Sequence, residues 1–503
     1  MNKTRLISKL FIPRLRALQR HETEAGQLQV EQLRRLINEA KDTLWGAEHN
    51  YNNIHTYEDF VRQVPIQTYE DIKPYVERMR QGERSILWPG QVKWYAKSSG
   101  TTNDKSKFIP VTKEGLHGMH YAGPRDCVAW YLSTRPDSRF FDGKGLILGG
   151  SHAPNYNLKH SLVGDLSAIL IENIGTLANL IRVPSKEIAL LADFEEKMER
   201  IARSTIHADI SNISGVPSWM MAVIKRVLEI TGKKSLDEVW PNIEVFFHGG
   251  VSFAPYRETY HELIRGSKMQ YRETYNASEG FFGIQNDPAD SAMMLMLDYG
   301  TLYEFIPLEE VGKEQPVVVP LTGVELGRNY AMVISNRCGL WRYMIGDTVR
   351  FVSKEPYKFV ISGRTKHFIN AFGEELVVEN AEKGLDAACR ATGAQVCEYT
   401  AAPVFMGTDA KCRHQWLVEF TAKPDSMEHF AQVLDDTLQQ VNSDYEAKRY
   451  KDITLQCPQV VEARSGLFHQ WLKSKGKLGG QHKVPRLSNT REYIDEMLMM
   501  NEG

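Results

Sequence analysis

The chain has no apolar run that is both long enough and free enough of charge to cross a bilayer. The most apolar long stretch, Leu166 to Val183, is interrupted by Glu172, Asn173, Asn179 and Arg182, whereas a spanning helix needs about 20 mainly apolar residues. No charge of one sign is in excess. Lys and Arg number 61 against 63 Asp and Glu, a formal net charge of −2. That balance removes the global basic surplus of proteins that bind nucleic acid or anionic membranes, so neither is expected as a partner. Cysteine is scarce. The six at Cys127, Cys338, Cys389, Cys397, Cys412 and Cys457 form no C-x-x-C pair and no zinc-ligand spacing with a nearby histidine. A disulfide scaffold and a zinc ribbon are both excluded, and reduced, mostly buried thiols in a cytoplasmic protein are expected. The basic start, Met1 to Arg14, lacks a signal-peptide core, because charges and Pro13 break it and no small-residue cleavage site follows. An amphipathic helix packed on the body fits it better.

The 503 residues suffice for two or three domains, and 42% hydrophobic with 25% charged residues is an ordinary globular composition. The first ninety residues read as helical. Leu33, Leu36, Ile37, Ala40 and Leu44 recur at three- and four-residue steps. Thr56 and Thr68 each stand just ahead of acidic residues, as N-caps of two further helices. Trp88-Pro89-Gly90 ends this region, and the alternation of Val92 and Trp94 predicts a strand. Further on, strands alternate with helices predicted over 113–131, 188–205 and 218–231. Strands at 243–248 and 269–274 complete an α/β pattern, in which ligands sit beyond the carboxyl ends of strands. From Leu295 to Phe359 short strands punctuated by turns predict an antiparallel barrel or sheet. After a boundary near residue 365, helices over 374–391 and 426–445 with strands between them predict a small α+β domain. The expected division is therefore 1–365 and 366–503.

Five stretches carry chemistry. Ser98-Ser99-Gly100-Thr101-Thr102, followed by Lys105 and Lys107, is a poor helix and a poor strand but a good donor-rich loop. It suits a solvated turn and it suits a polyphosphate. It is not a Walker loop, because Lys105 stands where the second glycine belongs. His248-Gly249-Gly250 ends a predicted strand where a backbone can approach a ligand, or simply turns. Tyr275-Asn276-Ala277-Ser278-Glu279-Gly280 lines up an aromatic ring, a hydroxyl and a carboxylate. Tyr343-Met344-Ile345-Gly346-Asp347 places an aspartate after a glycine between two predicted strands. Near the end, Lys473 to Arg486 is glycine-rich and basic, either a solvated tail or a loop that delivers Lys483 to a reacting centre.

In this order and approximate spacing, together with Gly363-Arg364-Thr365-Lys366, the stretches resemble the adenylate-forming superfamily. Trp94-Tyr95-Ala96-Lys97, Phe108-Ile109-Pro110-Val111-Thr112, Trp341-Arg342-Tyr343 and Gln481-His482-Lys483-Val484-Pro485-Arg486 are most similar to the Gretchen Hagen family of plant acyl-acid amido synthetases and their bacterial relatives. The resemblance runs from about Phe60 to Arg486. It implies a large N-terminal adenylation domain, with α/β layers and a β-barrel-like subdomain, and a smaller mobile α+β cap. It implies ATP and Mg²⁺ as cofactors, with a carboxylic acid and an amine, such as an amino acid, as substrates.

By the same resemblance Ser98, Ser99, Thr101, Thr102 and Lys107 would hold the β- and γ-phosphates. Gly249, Gly250 and Tyr275 would face adenine, and Ser278 the α-phosphate. Glu279 would bind Mg²⁺, Asp347 the ribose hydroxyls with Arg364 nearby, and Lys483 the acyl carboxylate and α-phosphate. Lys366 falls at the hinge position, where the superfamily more often has aspartate. Asn103-Asp104-Lys105-Ser106 also departs from the usual loop continuation. An apolar acid pocket is expected from Leu116, His120, Trp130, Val216 and Trp219, which could equally be core. A thioester-forming ligase on the same scaffold, or a nucleotide-binding protein without catalysis, would carry much of the same pattern.

Overall fold

A computed structural model describes residues 3–98, 107–250, 253, 256–266, 268–365, 368–369, 371, 374, 376–406, 411–442, 445–446, 449, 455–475 and 484–502. Contacts divide the chain into two units. The larger comprises Met1–Ile345 and Arg350–Val360, and the smaller is built from Gly346–Val349, Ile361–Leu478 and His482–Gly503. The Gly346-Asp347 segment is counted with the smaller unit.

Both predicted capped helices form. Helix Tyr57–Gln63 begins at Thr56, whose Oγ1 accepts from Asp59 N at 3.1 Å while Thr56 N donates to the Asp59 carboxylate at 3.1 Å. Helix Tyr69–Arg80 begins at Thr68, whose N–H donates to Asp71 at 2.7 Å. Each carboxylate satisfies donors that a helix start leaves open and complements the dipole.

A three-stranded sheet follows, with β1 (Trp94–Ser98) between β2 (Lys107–Val111) and β4 (Leu162–Gly164). The main sheet has twelve strands. Its first half is parallel: β3 (Lys144–Ile147) lies between β5 (Arg182–Val183) and β6 (Ile210–Gly215), followed by β7 (Val245–Gly249) and β8 (Gln270–Ala277). Helices Phe194–Thr205 and Pro217–Thr231 pack on it. Leu146, Ile201, Ile213, Val223, Ile224, Val227, Trp240, Phe246 and Tyr260 form its core, all nearly inaccessible. The sheet continues through β9 (Gly280–Ile284), β10 (Met293–Leu295), β11 (Thr301–Pro307), β12 (Val319–Pro320), β13 (Asn329–Asn336), β14 (Leu340–Lys354) and β15 (Tyr357–Arg364), with antiparallel pairing at β8–β9, β9–β10, β10–β15, β11–β13 and β11–β12. The predicted antiparallel region thus extends the α/β sheet edge to edge.

Several boundaries differ from expectation for identifiable reasons. The helix predicted over 188–205 is two, Lys186–Ala189 and Phe194–Thr205, because Asp193 caps the second through Glu196 N at 2.7 Å. The helix predicted over 113–131 contains a π-helical turn, Leu116–His120, between Lys113–Gly115 and Ala122–Thr134. The strand predicted to end at Thr274 runs on to Ala277. Asp347 lies within one fifteen-residue strand rather than between two.

The smaller unit contains the short pair β16 (Phe368–Ile369) and β17 (Leu376–Val377), and a sheet of β18 (Gln395–Met406), β19 (Lys411–Ala422) and β20 (Gln459–Ala463). Alternate residues of β19 point to opposite faces. Trp416 and Val418 join Leu385, Phe430 and Leu434 from helices Val378–Thr392 and Met427–Val441. Leu417 joins Phe468, Trp471 and Met497 from helices Leu467–Ser474 and Glu492–Glu502. This is the α+β arrangement expected there.

Arg342 ties the N-terminal helices to the main sheet. It is 3% exposed and its backbone stands at φ +42, an arrangement L-residues adopt only when their surroundings enforce it. Its guanidinium makes two bonds of 2.9 Å to Glu304 and reaches the carbonyls of Val61 and Val64. Tyr57 donates to the same carboxylate at 2.8 Å. Arg342→Met leaves Glu304, 1% exposed, without its cation, and urea unfolding should show a loss of about 3–5 kcal/mol. Adding Glu304→Gln should restore part of it, since the two effects are coupled.

Candidate functional site

The strands that flank the hydroxyl-rich stretch pair with each other as a hairpin. Ser98 ends β1, Lys107 opens β2, and the two stand opposite each other in register. Ser99, Thr101 and Thr102 lie outside the described residues. Three cations surround the root of this hairpin. The Arg80 guanidinium lies 3.9 Å from the centre of the Phe108 ring and donates to Tyr156 O at 2.5 Å. Lys97 Nζ lies 4.5 Å from the Tyr156 ring, and Lys107 Nζ 5.8 Å from that of Tyr69. Tyr69 in turn accepts from Phe108 N at 2.8 Å. Aromatic faces hold cations without neutralising them. Lys97 also bears electrostatically on the buried Asp165, whose carboxyl it favours in the charged form. Arg80 gave no signal in the sequence, because it closes a helix that meets the hairpin only in the fold.

Ser278 and Glu279 form the two-residue turn of the β8–β9 hairpin, between Ala277 and Gly280, which pair across it. Both are buried, at 3% and 7% exposure. Asn336 holds the turn from outside. Its Nδ2 donates to Glu279 O at 2.7 Å, and its Oδ1 accepts from Cys338 N at 2.9 Å. The turn between β13 and β14, which carries Asn336 at its start, also reaches the end of β2, because Thr112 Oγ1 donates to Arg337 O at 2.6 Å and accepts from Gly115 N at 2.9 Å. One connected set of hydrogen bonds therefore joins the end of β2 to the Ser278-Glu279 turn. The sequence carried a faint sign of Asn336, an asparagine three residues before a glycine between two strands.

Gly249 and Gly250 end β7. A side chain at Gly249 would meet Thr274 O at 2.3 Å, and Gly250 adopts φ +83 beside Val216, whose Cγ2 lies 3.5 Å from where a Cβ would stand. Val216 precedes helix Pro217–Thr231 as its cap, and Trp219, partly buried, packs on the core beneath. Tyr275 is 6% exposed, its ring edge-on to Phe282 at 5.1 Å and tilted to Phe359 at 6.0 Å. Leu116 and His120, both buried, lie on the π-helical turn. His120 meets Asn276, two residues before Ser278, at 3.4 Å.

In the smaller unit Asp347 and Arg364 are joined by a 2.8 Å ion pair, with the carboxylate side chain 18% and the guanidinium side chain 40% exposed. Gly346, at φ +91, lies within β14 immediately before Asp347, and Thr365 N donates to its carbonyl at 2.8 Å. Lys366 and Lys483 lie outside the described residues.

Comparison with known proteins decides the family. Residues 14–269 match the GH3 family N-terminal domain, residues 294–364 its central domain and residues 379–492 its C-terminal domain. The chain belongs to the GH3 family. This is the Gretchen Hagen family that the motifs resemble. Among curated relatives, an indole-3-acetic acid-amido synthetase, GH3.3 of Arabidopsis thaliana, is 21% identical across 94% of this chain and 91% of its own. A jasmonoyl-L-amino acid synthetase, JAR4 of Nicotiana attenuata, is 24% identical across 65% and 67%. Among solved structures, the GH3.15 acyl acid amido synthetase superposes with a TM-score of 0.77 at 18% identity, covering 97% of this chain and 96% of that one. A 2-hydroxyisobutyryl-CoA ligase in its postadenylation state gives 0.60 at 12% identity, covering 96% and 94%. The fold is that of adenylate-forming enzymes.

In this GH3 protein His120 is fully buried, and burial holds its pKa down to about 4, against the weak opposing effect of Asn276. Among the described residues its Nε2 has no hydrogen-bond partner. A histidine that resists protonation when folded stabilises the fold above its unfolded pKa of about 6.5, and that contribution disappears as pH falls through the folded value. His248, held at about 3 by burial and Arg257, acts in the same direction. Between about pH 7 and about pH 5 His120 should account for about 2 kcal/mol of lost stability. Urea unfolding of His120→Gln at both pH values should therefore show a loss smaller than wild type by about that amount. An equal loss would mean that His120 accepts its proton in the folded state.

Proposed function

We propose that the chain is an ATP-dependent acyl-acid amido synthetase. It activates a carboxylic acid as an acyl-adenylate with release of pyrophosphate, then passes the acyl group to an amine, with an amino acid as the favoured acceptor. The observation that carries this reading is the hydrogen-bonded continuity from the first hairpin to the Ser278-Glu279 turn through Thr112 and Asn336, within a chain that matches all three GH3 domains. The loop after Ser98 takes the β- and γ-phosphates, and Lys107 and Lys97 supply positive charge at its root. Ser278 donates to the α-phosphate. Asp347, oriented by Arg364, accepts the ribose hydroxyls. Gly249 and Gly250 leave room for adenine, with Tyr275 forming the wall behind it.

Among the described residues no group of three or more His, Cys, Asp or Glu side chains could hold a metal ion. A single buried carboxylate at Glu279 fits Mg²⁺, a hard ion that takes one or two protein oxygens and completes its shell with phosphate and water. When bound, Mg²⁺ offsets negative charge on the phosphate oxygens. The chain's own residues do the positioning. The turn geometry fixes Glu279 and Ser278 together, the hairpin aligns the leaving pyrophosphate, and Lys483 takes the role of neutralising charge that builds up at the acyl carboxylate and α-phosphate as the carboxylate attacks. Leu116, His120, Val216 and Trp219 suit a hydrophobic or aryl acid, in keeping with relatives named for indole-3-acetic acid and 4-substituted benzoates. Among the described residues no helix is long and apolar enough to cross a membrane.

ATP–pyrophosphate exchange across a panel of aromatic and aliphatic acids tests the reading. At least one acid should support exchange, and mass analysis should then find an amide when amino acids are supplied. A thioester formed only with CoA would favour the ligase alternative, and no exchange with any acid would contradict the enzyme reading. Lys483→Ala and Glu279→Gln should each lower exchange by about a hundredfold or more, the size of one transition-state contact. Asn336→Asp keeps the acceptor for Cys338 N but sets a carboxylate against Glu279 O. It should lower exchange by about tenfold or more, a shift in the turn of the kind that misplaces reacting groups.

A further inference from the structure

Residues Lys3–Leu18 form one continuous right-handed helical segment, an α-turn, a 3-10 turn over Ser8–Phe11 and a second α-helix. Its inner side is clamped to the larger unit. Thr4, 2% exposed, accepts from Phe141 N at 2.8 Å, and Phe11 stacks on Phe141 with ring centres 6.3 Å apart. Arg14 donates to Asp126 at 2.8 Å and to Asp298 at 2.9 Å, and Leu18 is 1% exposed. The segment cannot roll to hide its other side without breaking a half-buried ion-pair network, which is costly.

That other side is apolar and basic. Leu6 is 59% exposed, Leu10 77% and Ile12 44%, and Pro13 and Ala17 are also exposed. Between and beside them stand the exposed Lys3, Arg5, Lys9 and Arg16. No acidic residue occurs before Glu22, although the chain as a whole carries a net charge of −2. We propose that this face docks on an anionic lipid surface. A helix about 24 Å long that keeps its own backbone bonded can lie flat at a bilayer interface, with leucines entering the acyl boundary and cations at the headgroups. The exposed leucines stand beside exposed cations, and that pairing of apolar side chains with positive charge complements acyl chains and phosphate headgroups. An acidic protein would meet the charges and leave Leu6 and Leu10 without a place to go. Neither the absence of a spanning segment nor the overall charge bears on this docking, which needs only a local excess of cations. It is independent of the catalytic reading above.

Sedimentation of the full-length protein with vesicles tests it. The protein should bind vesicles in which a third of the lipid is phosphatidylserine, should bind pure phosphatidylcholine much less, and should be released by salt. Leu6→Glu with Leu10→Glu, and separately Lys9→Glu with Arg16→Glu, should each weaken binding by about tenfold or more. All four positions are exposed, so both variants should melt at the wild-type temperature and keep pyrophosphate exchange. Failure to bind the anionic vesicles at low salt would overturn the proposal, as would binding unchanged in both variants. Binding to polyglutamate but not to vesicles would overturn it in favour of an acidic protein. A concentration-dependent rise in mass that Leu10→Glu abolishes would overturn it in favour of a second copy of the chain.

Discussion

A single buried amide, Asn336, connects the parts on which the proposed chemistry depends. Its nitrogen end fixes the carbonyl of Glu279 and its oxygen end fixes Cys338 N. Through the neighbouring Arg337 carbonyl the same turn holds Thr112, which caps the helical segment after the first hairpin. A side-chain amide that spends both ends on backbone groups in a dry setting is a rigid spacer, since loss of either bond would leave a buried polar group unsatisfied. The two hairpins are therefore positioned against each other by the sheet and by this amide. A site assembled for in-line attack needs that rigidity, because small displacements of reacting atoms are expensive.

The larger unit shows why this edge of the sheet was available. The parallel half ends its strands at Gly215 and Gly249, and the carboxyl ends of such strands leave a crevice where connections diverge. The two-residue turn after β8 stands at the carboxyl end of the strand that pairs in parallel with β7. Arg342 and Glu304 lock the N-terminal helices onto the antiparallel half, so the helix that ends in Arg80 is held where its guanidinium can meet Phe108.

Much of this was legible in the sequence where the signals are local. The threonine caps at Thr56 and Thr68, the α/β alternation and the small α+β domain all follow from short-range patterns that packing did not override. The order of five motifs pointed to the adenylate-forming fold and to the GH3 family within it. What stayed hidden depends on contacts far apart in the chain. Arg80 and Asn336 have no motif, and become functional candidates only once the sheet brings Phe108 and Glu279 to them. The π-turn at Leu116–His120 was read as plain helix because one extra residue in a turn barely alters apolar periodicity. The sequence puts Asp347 between two strands, because glycine usually ends a strand. Here Gly346 lies within a strand that continues past it, which only the pairing with β15 reveals. The roles of Ser99, Thr101, Thr102 and Lys483 rest on sequence alone.

The central claim is that the acid's own oxygen attacks the α-phosphorus of ATP and leaves with AMP when the amine takes the acyl group. Supplying the acid labelled with oxygen-18 in its carboxylate, and analysing the nucleotide by mass after amide formation, tests this directly. The account predicts one labelled oxygen in AMP and none in pyrophosphate. Label in inorganic phosphate, or AMP without label alongside an amide product, would contradict it.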